Sequence, residues 1–249
     1  MKEIVNVLWT GGLDSTYLVV KLLYMGMTVQ PYYIIDEGRK SLKKELNAIR
    51  KISQHLQDHN VIKGQLLTTI IIYEKSINAY KDITDSWKRL NKKYSLGRQY
   101  DWLARFSRQQ RKKLMVGVMM ENRGKVIHTL EGKEMQKIKV SGIDVFTITN
   151  EISDMNHDAF IMYENLLFPC LLVGKKKTEE WDELHQLGFG DIAEMTWFCH
   201  HPILGLTCGH CNPCQDALNE GMAFRVSKIG YILGAIGHSV LSLFKKLRK

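Results

Sequence analysis

The first apolar run, Ile4-Val5-Asn6-Val7-Leu8-Trp9, shows little alternation, the pattern of a short strand buried on both faces. Small and polar residues follow over Thr10–Thr16, and Tyr17–Met25 then sets Leu18, Leu22 and Met25 on one helical face, with Gly26 as the stop. A second strand is expected at Val29–Ile35. This is a βαβ unit, so the expected core is a parallel sheet with helices on its faces. Leu42, Leu46, Ile49, Ile52 and Leu56 recur at helical spacing. Leu66–Tyr73 reads as a third strand, Trp102–Lys113 as a helix and Leu114–Met120 as a fourth strand. From Asn122 to Asp158 the periodicity is poor, and irregular or mixed β structure is expected. Thr178–Leu187 predicts a helix that Gly188 ends.

The α/β pattern gives way near 165–175 to a part that carries most of the cysteines. The expected division is an α/β domain over 1–170 and a helical part over 171–249. The latter closes with a basic amphipathic segment, in which Ile229, Ile232, Leu233, Ile236, Val240, Leu243, Phe244 and Leu247 recur at helical spacing before Lys245, Lys246, Arg248 and Lys249. Such a segment can lie on an anionic membrane, on its own protein or on a second subunit.

Composition narrows the class. With 45% hydrophobic and 24% charged residues in 249, the chain has the make-up of a globular protein rather than a disordered one. Thirty-five Lys and Arg against 26 Asp and Glu leave a net charge of +9, which favours anionic partners without choosing among nucleotides, nucleic acid and lipid. The N-terminus lacks a secretory signal, and no run of about 20 apolar residues offers a membrane span. A cytoplasmic location is expected.

Two stretches carry chemistry. Thr10-Gly11-Gly12-Leu13-Asp14-Ser15 lies between the first strand and the first helix, where backbone N–H groups and the helix dipole favour an anion. Adjacent glycines let backbone approach a phosphate, and the hydroxyls of Thr10, Ser15 and Thr16 add donors. The Walker lysine and the G-x-G-x-x-G fingerprint are both absent. The plain alternative is a tight turn capped by Ser15 or Thr16. At the other end, Cys199-x8-Cys208-x2-Cys211-x2-Cys214 supplies four thiolates that suit one tetrahedral Zn²⁺. An iron–sulfur cluster also fits four cysteines and is the rival. His200, His201 and His210 lie near enough to substitute as ligands, but four sulfurs already fill a structural site.

The loop 10–15 resembles the Ser-Gly-Gly-x-Asp-Ser element of the PP-loop ATP pyrophosphatases, with Thr10 in place of the first Ser. Within that superfamily the chain is most similar to the 7-cyano-7-deazaguanine synthases, whose C-terminal zinc site has the same cysteine spacing around Cys-Gly-His-Cys. Weaker likenesses join the two ends, over about residues 4–218: Asp36-Glu37-Gly38, Gly97-Arg98-Gln99, Gly117, and Lys177-x-Glu179-x-Trp181. The resemblance implies a Rossmann-like sheet of the adenine-nucleotide hydrolase type with ATP, Mg²⁺ and Zn²⁺ as cofactors. It places Thr10, Gly11, Gly12, Leu13, Asp14, Ser15, Thr16, Asp36, Gly97 and Gly117 around the nucleotide. Asp14 and Ser15 would organise the reaction, with Asp14 helping to hold Mg²⁺. Arg98 and Lys177 would offset charge on the leaving pyrophosphate.

The implied reaction activates 7-carboxy-7-deazaguanine by adenylation and passes the acyl group to ammonia; a second adenylation dehydrates the amide to the nitrile. Two departures bear on the substrate. Arg123–Asp158 has nothing like the family's deazapurine-recognising stretch, and Ser41 stands in the region of a family His. A protein amine is therefore a second candidate acceptor, as in synthase-like proteins of bacterial antiviral operons. A homodimer is expected. A non-catalytic, zinc-containing nucleic-acid-binding protein is the reading from another class, and the intact loop argues against it. A tRNA-thiolating enzyme would want a cysteine pair near the loop, which Cys170 alone does not supply.

Overall fold

The computed structural model describes residues 4–117, 129, 135–148, 157–172 and 174–236. In chain order the strands are β1 (Ile4–Leu8), β2 (Thr28–Ile35), β3 (Gln65–Leu66), β4 (Ile70–Tyr73), β5 (Leu114–Val116), β6 (Met135–Val140), β7 (Ile143–Ile148) and β8 (Leu166–Pro169). Among the described residues the α-helices include α1 (Leu13–Tyr24), α2 (Leu42–Gln57), α3 (Lys81–Tyr94), α4 (Gln99–Gln110), α5 (His157–Tyr163), α6 (Lys177–Gln186), α7 (Gly190–Met195) and α8 (Asn212–Asn219); residues 228–236 are helical as well. The protein is thus α/β with a mostly parallel sheet. Two compact units interleave along the chain: the first holds Met1–Thr10, Asp14–Asp36 and Leu56–Lys175, the second Gly11–Leu13, Glu37–His55 and Lys176–Lys249.

The whole sheet belongs to the first unit. Its order is β3-β2-β1-β5-β8-β7-β6, with β4 also on β2. Parallel pairing runs from β3 and β4 through β2, β1 and β5 to β8, and β7 and β6 continue it antiparallel. From β1 the chain therefore goes to β2 on one side and later returns to β5 on the other. That reversal is a topological switch point, the place in open α/β sheets where a crevice forms beyond the strand ends.

One sheet face is covered by α3, α4 and α5. Successive strand residues point to opposite faces, so Tyr32 and Ile34 of β2, Leu114 and Val116 of β5, and Leu166 and Phe168 of β8 enter one core, all buried. Phe106 of α4 meets Tyr32 edge-on at 5.4 Å between ring centres. In α3, Ile83 and Leu90 are buried and Trp87 and Tyr94 partly so, a 4-3-4 spacing that makes one apolar stripe. Arg89 of α3 grips Asp158 of α5 through both guanidinium arms, at 2.8 and 2.6 Å.

Several boundaries depart from expectation. The third strand is not continuous over Leu66–Tyr73 but broken into β3 and β4. Val29 accepts from the N–H of Leu67 at 2.9 Å on that edge, and residues two apart in a strand face the same neighbour. Pro31 therefore faces the edge as well and has no N–H to give. The Gln30 amide fills the gap, donating to Thr68 O at 2.9 Å and to Pro31 O at 3.1 Å. The helix expected at Trp102–Lys113 starts and stops earlier, at Gln99 and Gln110, because Arg111 takes a left-handed φ of 52°. Helix α3 stands where no element was expected. Within the poorly periodic 122–158 stretch, β6 and β7 form a hairpin turned by Ser141 and Gly142, both at positive φ. Of the fourth strand, 118–120 lie outside the described residues, as do 237–249 of the basic segment.

Gly64 is a close-approach position: a Cβ there would lie 2.2 Å from Met27 O and 2.9 Å from Leu23 O, both backbone atoms. Gly64→Ala should cost about 1–3 kcal/mol by overpacking. Gly97→Ala, whose Cβ meets nothing closer than 3.8 Å, should stay within about 0.5 kcal/mol. Denaturant melts of the two variants check the contrast.

Candidate functional site

The loop at the carboxyl end of β1 folds back on itself. Thr10 N–H donates to Ser15 Oγ at 3.2 Å, and the Thr10 and Ser15 hydroxyls lie 3.1 Å apart. Thr16 is fully buried, its oxygen accepting from the Trp9 indole at 3.0 Å. Of the three hydroxyls, the structure thus brings Thr10 and Ser15 together and turns Thr16 into the core. Leu13 opens α1 and Asp14 sits in its first turn, where the helix dipole favours a negative group. Gly117, directly after β5, closes on the same turn: a Cβ on it would stand 2.9 Å from Ser15 Cα and 3.0 Å from Ser15 N. The ends of β1 and β5, the two strands of the switch point, therefore meet at Ser15.

The other expected residues lie on separate elements. Asp36 follows β2, half-buried. Gly97 is exposed, its carbonyl accepting from Trp87 Nε1 at 3.2 Å. Arg98 is exposed and pairs with Glu74 at 3.3 Å; Glu74 also takes Arg105, which a 3.0 Å bond ties to Asp101. Lys177, at the start of α6, belongs to the second unit. Ser41, which stands in the region of the family's missing His, is fully buried; its hydroxyl donates to Glu45 at 2.5 Å, and its carbonyl accepts from the N–H groups of Lys44 and Glu45 at the start of α2.

In the second unit, Gly11 has a left-handed φ of 72°, and a Cβ there would lie 3.1 Å from Glu45 O. Its carbonyl accepts from the N–H of Trp197 at 2.8 Å, and the Trp197 indole in turn donates to Cys199 O at 2.8 Å. Trp197 is the residue that sequence reasoning missed: one side chain and its backbone connect Gly11 to the first cysteine. Its place two residues before Cys199 was the available signal. Lys44 lies over its ring at 5.0 Å, and together they line a cavity of about 460 Å³ with Asn47, Lys51, Asp191 and Glu194.

The four cysteines converge. All four Sγ atoms lie within 4.8 Å of one another and all four residues are buried. Cys211 to Cys199 is 3.9 Å and Cys208 to Cys214 is 4.0 Å. A tetrahedral zinc with Zn–S of about 2.3 Å needs sulfurs about 3.8 Å apart, so the set fits one ion. A multi-iron cluster would hold its cysteines farther apart, with irons and sulfides between them. Backbone N–H groups of His210 and Cys211 point at Cys208 Sγ at 3.4 and 3.3 Å, and that of Cys208 at Cys199 Sγ at 3.2 Å, the outer-shell donors that steady a thiolate. The crowding shows in acidity. The hydrogen bond with Cys211 pushes the Cys199 thiol up to about 12, and the one with Cys199 raises Cys214, while Cys211 is held well below the usual thiol range by its hydrogen bond with Cys199.

The three nearby histidines are not in the cluster. His210 instead bonds Tyr231 O at 2.8 Å and stacks on the Tyr231 ring at 4.6 Å. Burial depresses His200 below the ordinary imidazole value. Cys170 lies in the first unit in a short turn after β8, and burial raises its thiol. Among the described residues no helix is long and apolar enough to cross a membrane. No protein-family model matches the chain, and no curated protein matches it.

Elemental analysis should find one zinc per chain, without iron. Because metal binding needs deprotonated thiols, retention should fall as pH drops. Structural zinc contributes about 10–16 kcal/mol at neutral pH in small folds, so Cys214→Ser should lose both the metal and the cooperative melt of the second unit.

Proposed function

We propose that the chain is a PP-loop enzyme that adenylates a carboxylate with ATP, releases pyrophosphate, and passes the acyl group to a nitrogen nucleophile. One observation carries the reading: a hydroxyl-bearing Gly-Gly loop at the end of β1 meets the end of β5, held by Gly117, at the switch point of a parallel sheet. Nucleotides favour such places because backbone N–H groups and a helix N-terminus converge there. The similarity of residues 10–15 to the pyrophosphatase loop adds the bond that is cut.

A carboxylate oxygen attacks the α-phosphorus, and the bond to the β-phosphate oxygen breaks as pyrophosphate leaves. The amine nitrogen then attacks the acyl carbon, AMP departs and the nitrogen loses a proton. Thr10 and Ser15 would donate to the phosphates. Mg²⁺ would enter with ATP, and Asp14 is the carboxylate of the loop that suits it. Arg98, engaged with Glu74, is an exposed cation of the first unit. The parts given to Lys177, Asp36 and Gly97 rest on the resemblance. So does the choice of 7-carboxy-7-deazaguanine.

The four-cysteine centre supports the same reading, as its spacing matches the synthases' zinc site; it would hold structure and take no part in the chemistry.

Incubation with ATP, Mg²⁺ and 7-carboxy-7-deazaguanine should yield AMP and pyrophosphate. Asp14→Ala or Ser15→Ala should lower that rate by about 10²-fold or more, the scale of losing a positioned polar group, while the protein stays folded. Steady formation of ADP and phosphate would contradict the proposal.

A further inference from the structure

Helix α2 buries one side and presents another of a single chemical kind. Ala48, Ile49, Ile52 and Leu56 are buried, the spacing of a core-facing stripe. At about 100° per residue, Lys43, Lys44, Asn47, Arg50, Lys51 and Gln54 fall together on the other side. Lys44 is half-buried and the other five are exposed. That face holds four cations and two amides, without a carboxylate. Glu45, the one acid of the helix, is buried and paired with Arg39 at 3.0 Å.

Among the described residues none of the four cations lies in an ion pair. Arg50 is held by uncharged partners, donating to Asn47 Oδ1 at 3.1 Å and to Gln54 Oε1 at 3.2 Å. Its guanidinium is ordered without being neutralised. The pairs Lys43–Lys44 and Arg50–Lys51 stand two turns apart, about 10 Å along the axis. Such a row of like charge repels itself, and an anionic polymer relieves it while releasing its own counterions.

The cavity beside this face narrows the partner. Helix α2 lends it Lys44, Asn47 and Lys51, while Asp191, Glu194 and Trp197 come from α7 and the residues after it. Its volume of about 460 Å³ suits a small planar group, and Ala48, Met195 and Trp197 give it apolar walls. A phosphate or a lipid headgroup would leave those walls and both carboxylates unmatched. A nucleobase on its strand matches all three features: apolar faces, exocyclic amines that donate to carboxylates, and phosphates for the cations. In a duplex the bases stay stacked and cannot enter.

We propose that the basic face of α2 and this cavity bind single-stranded nucleic acid. The phosphates lie on Lys43, Lys44, Arg50 and Lys51, and one base enters the cavity with its amine toward Asp191 and Glu194.

Fluorescence anisotropy of the full chain with labelled oligonucleotides of about 12 residues tests this. Oligocytidylate should bind, and arms in DNA and in RNA tell the two sources apart. Its affinity should fall with salt at a log–log slope of about −3, the value for four phosphates of a single strand. Its duplex should bind at least about fivefold more weakly, having no free base to give. Oligothymidylate, which lacks an exocyclic amine, should also lose about fivefold. Lys43→Gln with Arg50→Gln should flatten the salt slope by about 1.4, and Lys51→Gln alone by about 0.7. These positions are exposed, so the melting temperature should not move. Absence of binding, equal binding of the duplex or of oligothymidylate, or an unchanged slope in the variants overturns the proposal. Pelleting with phosphatidylserine vesicles, without binding to the oligonucleotides, overturns it in favour of a membrane.

Discussion

The meeting of Gly117 with Ser15 is the constraint on which the upper edge of the sheet depends. Two strand ends converge on one turn, and at 2.9 Å from Ser15 Cα there is no room for a Cβ. The contact fixes where β5 stops, sets Ser15 against Thr10, and leaves the start of α1 facing the switch point. A loop held in this way spends little entropy on binding, because its backbone is already ordered by neighbours on both sides. That is the physical basis for giving it a phosphate.

The second unit is organised by a different force. Three of its helices are short, 10 residues in α6, 6 in α7 and 8 in α8, below the length at which helices stand alone. What gathers them is a buried set of four thiols whose sulfurs are close enough to share one metal ion. The features around the set answer to it: Gly209 at a φ of 74° lets the chain turn between ligands, and Pro213 starts α8 so that Cys214 points inward. Gly230 and Gly234 then allow the last described helix to lie against the loop.

Much of this was legible in the sequence, for identifiable reasons. The apolar run of β1 and the compact cysteine spacing are local signals, and each marked its element, although β1 alternates between buried and less buried residues instead of being covered on both faces. The break between β3 and β4 was not legible, because it arises from Pro31 on the neighbouring strand, an effect that lies 36 to 38 residues away from 67–69 in the chain. Helix α3 escaped because Lys and Asp dominate it, although Ile83, Trp87, Leu90 and Tyr94 keep a narrow stripe. Gly117 could be named but not explained, since a close approach between residues a hundred positions apart leaves no mark on periodicity. Trp197 went unread for the same reason: its role lies in a backbone bond to Gly11. Thr16 looked like a phosphate donor from its neighbours and turned out to serve Trp9.

The central claim is that this loop directs attack to the α-phosphorus of ATP. Isotope exchange tests it without waiting for the acceptor: with ATP, Mg²⁺ and the carboxylate but no amine, labelled pyrophosphate should be incorporated into ATP, because adenylation runs in reverse. Omitting the carboxylate should stop the exchange. Loss of ATP with no incorporation of pyrophosphate label, and with ADP as the product, would contradict the account.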